Sequence, residues 1–236
     1  MIKVGIICAG DEELKPFLPC IEKCKVFEKA MLKIYEGTIN GIDIVTLFSG
    51  VCKTNAAIAT QLLIDNYGVN LVINAGVAGG MDNALEIFDT VIATEVAHHD
   101  VENGILTEFH PWMSSIYFKS DEKLLELARK VVKEFMTNHE ICFGRMITGE
   151  SFITDDGRDE INSEFSPLSV DMETASIAQV CYVNEIPFIA IRSITDTATH
   201  SGGENFEKNC AKASVIAKDI TLELLKELKT KFKLEE

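Results

Sequence analysis

Short apolar runs that each end in a small or acidic residue, just where a helical pattern begins, recur along this chain. The stretch from Leu168 to Ala198 shows this pattern twice. A β-like run ends in Asp171 and Glu173, and the next apolar run delivers Arg192 and Asp196 near its carboxyl end. In open α/β sheets, ligands bind beyond the carboxyl ends of the strands. We therefore expect these three acids and the arginine to converge at one site.

The order of the patterns along the chain predicts an α/β fold. Residues 2–8 form an apolar run that is long enough for a strand and too short for a helix, and an amphipathic helical pattern covers residues 124–135. Asn40-Gly41 predicts a hairpin between two alternating strands. The whole pattern indicates about eight strands with three or four helices between them, in a mixed or largely parallel sheet wrapped by helices. Because no low-complexity linker divides the 236 residues, we expect one domain over residues 1–236.

The charge and the cysteines exclude several classes of protein. A formal net charge of −15 argues against nucleic acid and anionic membranes as partners, because such binding needs clustered Lys and Arg. The amino terminus lacks the basic segment of a signal peptide, and no apolar run is long enough to span a bilayer, so a soluble cytoplasmic protein is expected. The 7 cysteines form no CxxC pair and no metal-ligand cluster. We expect reduced thiols, no metal and no cofactor.

Familiar motifs of other enzyme classes are absent or incomplete. The run Gly5–Gly10 follows a strand but lacks both the Lys-Ser/Thr of a P-loop and the G-x-G-x-x-G of a dinucleotide fold. The run Gly76–Gly80, predicted as a loop after a strand, has no acidic ribose anchor about 20 residues later. No G-x-S-x-G elbow is present. Adjacent residues on a strand point to opposite faces, so His98-His99-Asp100 is interpreted as polar residues at a strand end rather than a metal site.

Carboxylates at strand exits remain as the candidates for chemistry, namely Glu13, Glu173 and Asp196 together with Asp171. Two carboxyl groups in different environments can divide into an acid and a base, which is what cleavage through an oxocarbenium-like state requires. Each also has an ordinary structural interpretation, because an acid in the first turn of a helix gains about 0.3–1 kcal/mol from the helix dipole. Arg192 could equally be a plain ion-pair partner. Residue types alone leave both interpretations open.

Six segments resemble the nucleoside phosphorylase/nucleosidase family, and most closely its 5′-methylthioadenosine/S-adenosylhomocysteine nucleosidases. They read G-I-I-C-A-G-D-E-E-L, F-S-G-V-C-K, I-N-A-G-V-A-G-G, T-G-E-S-F-I, V-D-M-E-T-A-S-I-A and R-S-I-T-D-T-A, and they extend over nearly the whole chain. The resemblance implies a single-domain, three-layer α/β sandwich with a central mixed, partly barrel-like sheet wrapped by helices. It also implies hydrolysis of the N-glycosidic bond of a 5′-substituted adenosine.

The resemblance implies a role for each candidate. Glu13 would be the base that activates water, and Glu173 with Met172 would hold the ribose. Asp196 would protonate N7 of the departing adenine, and Arg192 would steady the water and the nearby acids. Phe152 and Phe206 would sandwich the base, and the backbone of Ile153 would read its edge. The implied substrate-binding residues are Val51, Ala78, Gly79, Phe152, Ile153, Met172, Glu173, Ala198 and Phe206.

Departures from the family pattern leave the 5′ substituent open. Gly10 stands where family members often carry Met, Val77 stands where Ser is common, and residues 101–117, with Trp112, do not follow the usual sequence. The substrate could be methylthioadenosine, S-adenosylhomocysteine, 5′-deoxyadenosine or aminofutalosine. The resemblance implies a homodimer in which the 101–117 loop of a neighbour, with Trp112 and Ile116, closes the 5′ end of the site.

Two other functions remain open at this point. A nucleoside phosphorylase on the same fold would need a phosphate clamp, for which arginine is the usual residue, and the first half of the chain has no arginine. A non-catalytic nucleoside-binding or storage protein would have no need of the three acids.

Overall fold

A computed structural model describes residues 2–102, 104–109, 113–154, 157–199 and 202–235, with side chains up to residue 231. The strands in this part of the chain are β1 (Lys3–Cys8), β2 (Glu22–Lys29), β3 (Leu32–Ile39), β4 (Ile42–Phe48), β5 (Leu71–Gly80), β6 (Thr90–His98), β7 (Phe118–Lys119), β8 (Ile141–Thr148), β9 (Ser169–Asp171) and β10 (Phe188–Asp196). The α-helices are α1 (Asp11–Leu14), α2 (Lys53–Tyr67), α3 (Ile105–Phe109), α4 (Glu122–Glu134), α5 (Arg158–Phe165), α6 (Thr174–Val183) and α7 (Gly203–Glu235).

Five strands close into a barrel, and the others extend it. The ring runs β5–β10–β6–β8–β9 and returns to β5, with parallel pairing at β5–β10, β6–β8 and β8–β9 and antiparallel pairing at β10–β6 and β9–β5. From β5 the sheet continues through β1, β4, β3 and β2, and β7 pairs with β6. The mixed, partly barrel-like sheet that the resemblance implied is confirmed.

Helices cover the sheet on both sides. One apolar core joins the sheet to α2 and α6 through small residues such as Ala59 and Ala178. A second core joins it to α4 and α7 through residues such as Leu125 and Leu224. Strands covered on both faces consist of nearly continuous apolar residues, which explains why their runs could be recognised in the sequence. No helix in the described residues combines the length and apolar character needed to cross a bilayer.

Several elements differ from the sequence prediction. The run Gly76–Gly80 is the second half of β5 and not a loop, because it pairs with both β10 and β9. Helix α1 has only four residues, and α5 was not predicted. The predicted loop 101–117 contains the short helix α3, while Trp112 lies outside the described residues. Arg192 is in the middle of β10 rather than near its end, and β9 runs antiparallel to β5, so these side chains do not share one sheet edge.

Candidate active site

A cavity of about 480 Å³ lies between residues of β5 and β10 and the segments that follow β1, β4, β8 and β9. Its size is that of a typical small-molecule site. It is lined by nearly all residues expected from the sequence, namely Glu13, Val51, Ala78, Gly79, Phe152, Ile153, Met172, Glu173, Arg192, Asp196 and Phe206, together with Asp171. Ala198 is the exception, because it follows β10 as a half-buried residue outside the cavity lining.

Arg192 is the electrostatic centre of this cavity, with only 1% of its surface exposed. Its guanidinium contacts Glu13 Oε1 at 3.2 Å, Asp171 Oδ2 at 3.0 Å and Glu173 Oε2 at 3.3 Å. Burial by itself lowers the pKa of Arg192, but the three carboxylates raise it by more, so the guanidinium stays charged. Three acids on one buried cation form a cluster that carries excess negative charge when all are ionised.

Glu13 is held by the turn between β1 and α1. Its Oε2 accepts the N–H groups of Ala9 at 2.5 Å and Gly10 at 2.8 Å, and its Oε1 accepts the N–H of Val77 at 2.7 Å. The acid-rich first turn was correctly recognised as a helix start, but only Glu13 of its three acids is buried. Backbone donors therefore fix this carboxylate inside the cavity.

A second set of polar side chains, missed from the sequence, positions Arg192 and Asp171. Asn74 accepts from Arg192 Nε at 3.1 Å and from the Thr174 hydroxyl at 2.7 Å. Asp171 Oδ1 accepts from the Thr148 hydroxyl at 2.6 Å and from the first N–H groups of α6. Asp171 thus caps a helix and pairs with Arg192, which makes its role structural. A buried Asn in an otherwise apolar strand was the available sequence signal.

Glu173 faces the cavity between the cluster and the segment after β4. Its Oε1 accepts the N–H of Cys52 at 2.9 Å, a residue with φ of 81°. The pKa of Glu173 is raised to about 7, chiefly by burial and with a further contribution from Asp171 and Glu13, while Arg192 and the Cys52 N–H partly oppose the rise. Glu173 therefore changes its charge near neutral pH.

The stability of the protein should report this titration. A glutamic acid in an unfolded chain has a pKa near 4.3, so between about pH 4.5 and 7 the folded state binds more protons than the unfolded state. The free energy of unfolding should consequently fall as pH rises through this window. Urea unfolding from pH 5 to 8 should show the fall in the wild type and a smaller one in Glu173→Gln. The exposed Glu28→Gln serves as control, and equal slopes in all three proteins would contradict the assignment.

Gly76 creates the space in which the cluster forms. A Cβ at Gly76 would overlap Glu13 Oε1 and lie 2.9 Å from Arg192 Nη1. Gly79 plays the same part further along β5, since its Cβ would lie 3.1 Å from Asp196 Oδ2. The glycines that were first considered for phosphate binding instead let charged side chains approach the strand.

Gly76→Ala should therefore displace Glu13 and Arg192 and lower kcat/KM by roughly 10²-fold, the effect of a misplacement of about 1 Å. Gly5→Ala is the matched control, because its Cβ would meet Val69 Cγ1 at 2.8 Å, away from the cavity. The control should lower Tm and keep kcat/KM near the wild-type value. Equal activity losses in both variants would show that overpacking alone is responsible.

Asp196 is the last residue of β10, four residues beyond Arg192, and the pairing of β10 with β5 shifts register just before it. Its Oδ1 accepts the Thr195 hydroxyl at 2.8 Å. Burial raises the pKa of Asp196, and the Thr195 hydroxyl and the charge of Arg158 partly offset the rise. A carboxyl group in this environment retains its proton to higher pH than a surface aspartate.

Phe152 and Phe206 contact each other edge to face, with ring centroids 6.2 Å apart and ring planes at 82°. Two rings in this geometry do not leave a parallel slot between them. The implied sandwich around a purine thus needs one ring to turn.

The polar residues His98-His99-Asp100 at the end of β6 do not line the cavity. His98 forms a hydrogen bond with Gln179 at 3.0 Å, and Asp100 forms an ion pair with Lys53 at 2.7 Å.

Comparison with known proteins gives a consistent family. The model of the phosphorylase superfamily matches residues 3–226. A 5′-methylthioadenosine/S-adenosylhomocysteine nucleosidase of Bacillus cytotoxicus is 34% identical over 235 residues, covering 97% of this chain and 100% of the relative.

Solved structures agree with this. The nucleosidase of the same name from Neisseria meningitidis, in complex with methylthio-immucillin-A, superposes with a TM-score of 0.87 at 31% identity, covering 96% of this chain and 99% of the other. The futalosine hydrolase of Helicobacter pylori has a TM-score of 0.86 at 26% identity, with coverages of 96% and 98%. The chain therefore belongs to the phosphorylase superfamily, with full-length similarity to its 5′-methylthioadenosine/S-adenosylhomocysteine nucleosidases.

Proposed function

We propose that this protein hydrolyses the N-glycosidic bond of 5′-thio-substituted adenosines, such as 5′-methylthioadenosine and S-adenosylhomocysteine, and releases adenine. The observation that carries the proposal is the separation of two kinds of carboxyl group in one cavity. Glu13 accepts hydrogen bonds from the Arg192 guanidinium and three backbone N–H groups, whereas Asp196 is outside that ion-pair cluster and has a raised pKa. Environments that differ in this way divide carboxyl groups into a base and an acid.

The reaction then proceeds as follows. The bond between C1′ and N9 breaks and its electron pair passes to the purine, which takes a proton on N7 from Asp196. The oxygen of water bonds to C1′, and Glu13 takes its proton. Glu173 binds the ribose hydroxyl groups. Glu13 already accepts from three backbone N–H groups and Arg192, so it must exchange one of these donors for the water.

Water rather than phosphate is the nucleophile in this proposal. A phosphorylase needs cationic groups free to hold phosphate. Arg192 is the only Lys, Arg or His among the described residues lining the cavity, and it is already paired with three carboxylates. The test is to incubate the protein with methylthioadenosine in phosphate-free and phosphate-rich buffer and to follow adenine. Equal rates and free methylthioribose are expected; methylthioribose 1-phosphate as product would establish a phosphorylase, and no adenine from any 5′-modified adenosine would favour a binding protein.

The negative charge at the rim of the cavity favours a substrate with a neutral or cationic 5′ substituent. Gly10 and Val51 lie beside the residues that hold Glu13 and Glu173, so they mark the sugar end, and a Cβ at Gly10 would meet nothing within 4 Å. Exposed carboxylates border the same cavity at Asp11, Glu12 and Glu207. This charge disfavours anionic substituents, including the carboxylate of aminofutalosine.

We expect kcat/KM for a 5′-butylthioadenosine to exceed that for its carboxylate-ended analogue by roughly tenfold, or about 1.4 kcal/mol. The double variant Asp11→Asn/Glu12→Gln should lower the ratio of the two kcat/KM values, because it removes negative charge from the rim. Added salt should lower the ratio too, because it screens the charges that remain. A preference for the carboxylate in the wild type would contradict the assignment and favour a substrate of the futalosine type.

We also propose a homodimer in which the 101–117 loop closes the partner's 5′ pocket. Described residues of this loop expose apolar side chains at Ile105 and Phe109, and the adjacent helices α2 and α6 expose Ile58, Tyr182 and Val183. If these side chains packed against a second copy of the chain, dimerisation would remove them from contact with water. Sedimentation at micromolar concentration should give a dimer; a fully active monomer would contradict this.

A further inference from the structure

Arg158, the first residue of α5, is buried without a full set of partners. Only 5% of its surface is exposed. Its Nη1 donates to the carbonyl oxygen of Gly80 at 2.5 Å and contacts Met81 Sδ at 3.4 Å. Its Nε and Nη2 are buried and have no hydrogen-bond acceptor among the described residues. A buried cation with unused donors is costly, so its presence needs an explanation.

The residues that anchor Arg158 lie directly beside Asp196. Gly80 follows Gly79, and Gly79 is the partner of Asp196 in the pairing of β5 with β10. A Cβ at Gly80 would lie 3.4 Å from the carbonyl oxygen of Asp196, and a Cβ at Gly79 would lie 3.1 Å from its Oδ2. Arg158 therefore contacts the end of β5 next to the two glycines that pack against Asp196. It does not line the cavity.

We propose that Arg158 is a positioning residue for Asp196. The buried positive charge of Arg158 stabilises the carboxylate that remains after Asp196 has given its proton to the purine. This inference rests on the proposed function. Because Arg158 does not line the cavity, it acts through Asp196 without touching the substrate. In a site from which water is largely excluded, a charge fixed in advance stabilises charge that develops during the reaction.

The electrostatic environment of Asp196 agrees with this role. Burial raises the pKa of Asp196, while the Thr195 hydroxyl and the Arg158 charge lower it. Arg192, which lines the cavity, is paired with three carboxylates of its own. The remaining charged groups that face the cavity from the packed elements are acidic, namely Asp11, Glu12, Glu13, Asp171, Glu173 and Glu207. Among the described residues, Arg158 is thus the positive charge beside the acid that has no carboxylate partner.

The experiment separates charge from structure. Arg158→Gln keeps a donor for the Gly80 carbonyl but removes the charge, whereas Arg158→Lys keeps the charge. The measurement is the pH profile of kcat for adenine release from methylthioadenosine. Because kcat needs protonated Asp196, it falls above the pKa of that group. Because Arg158→Gln removes a cation that lowers the pKa of Asp196, it should move this alkaline limb to higher pH by about 0.5–1 unit, less than the 1–3 units expected for a charge in direct contact. It should also lower kcat at pH 7 by roughly tenfold.

The outcomes are distinct. Arg158→Lys should keep the alkaline fall of kcat near its wild-type pH. If kcat of Arg158→Gln falls at the same pH as kcat of the wild type, the proposal is overturned. If Arg158→Gln does not fold, Arg158→Met and Arg158→Lys are compared, since both fill the space of the arginine stem; equal limbs in these two would overturn it. Wild-type protein that releases no adenine at any pH would instead refute the proposed function.

Discussion

Replacing Asp196 with asparagine is expected to lower kcat for adenine release by about 10²–10⁴-fold, the usual contribution of general acid catalysis. Asparagine has nearly the same shape and can keep the Thr195 contact, which is 2.8 Å in the wild type. It has no proton to give to N7, so adenine would have to leave as a poorly stabilised anion. Affinity for the substrate should change only a few-fold, because the shape of the cavity is retained.

Single-turnover release of adenine and calorimetric binding of methylthioadenosine would measure the two effects separately. Asp43→Asn is the matched control, because Asp43 is exposed on β4 and remote from the cavity. It should leave both quantities unchanged. Near-normal kcat in Asp196→Asn would remove Asp196 from the mechanism, and a large loss of binding would make it a ligand-holding residue instead.

Arg192→Met should be the most destabilising substitution in the site. It leaves Glu13, Asp171 and Glu173 buried without their shared cation, and breaking a buried ion pair in this way costs about 3–5 kcal/mol. For a chain of this size, the loss corresponds to a decrease in Tm of roughly 10 °C. Activity should be lost with it, because both Glu13 and Glu173 would move.

The pH dependence of this effect identifies its cause. Carboxylates without a cation become neutral by taking up protons, so the deficit in unfolding free energy should be smaller at pH 5 than at pH 8. Arg129→Met is the control: this exposed guanidinium stacks on Phe143, with 4.4 Å between its Cζ and the ring centroid, and contributes about 0.5–1 kcal/mol. A deficit for Arg192→Met that is independent of pH would show that packing, not charge, is lost.

Strands were easier to predict than the segments that follow them. β1 and β10 are covered on both faces, so their apolar runs are visible in the sequence, and the bounds predicted for β1, residues 2–8, differ from the observed strand by one residue. The second half of β5 was misjudged because glycine and alanine have weak strand propensity. Pairing with two other strands overrides that propensity there. Helix α5 was missed because its mostly polar sequence, with two buried residues, shows little of the periodicity that marks a helix.

The candidate site divides in the same way. Glu13, Glu173 and Asp196 could be singled out because they are acids that follow apolar runs and match a family pattern. Asn74, Gly76 and Arg158 were not singled out, because their importance comes from which strand or helix lies beside them. Asp171 was recognised as an acid in the sequence. It shares Arg192 with Glu13, which is 179 residues away from Arg192 in the chain, and this arrangement depends on closure of the barrel.

From the sequence alone, the α/β class, the alternation of buried strands with helices, and the set of acids available for chemistry were determined, because these depend on local periodicity and residue type. Tertiary structure decided which acids share Arg192, which one lies outside that cluster with a pKa raised by burial, and which glycines leave room for them. Those outcomes depend on burial and on distances between residues far apart in the chain. A pKa is set by these surroundings, so one residue type is an ion-pair partner at position 171 and the proposed proton donor at position 196.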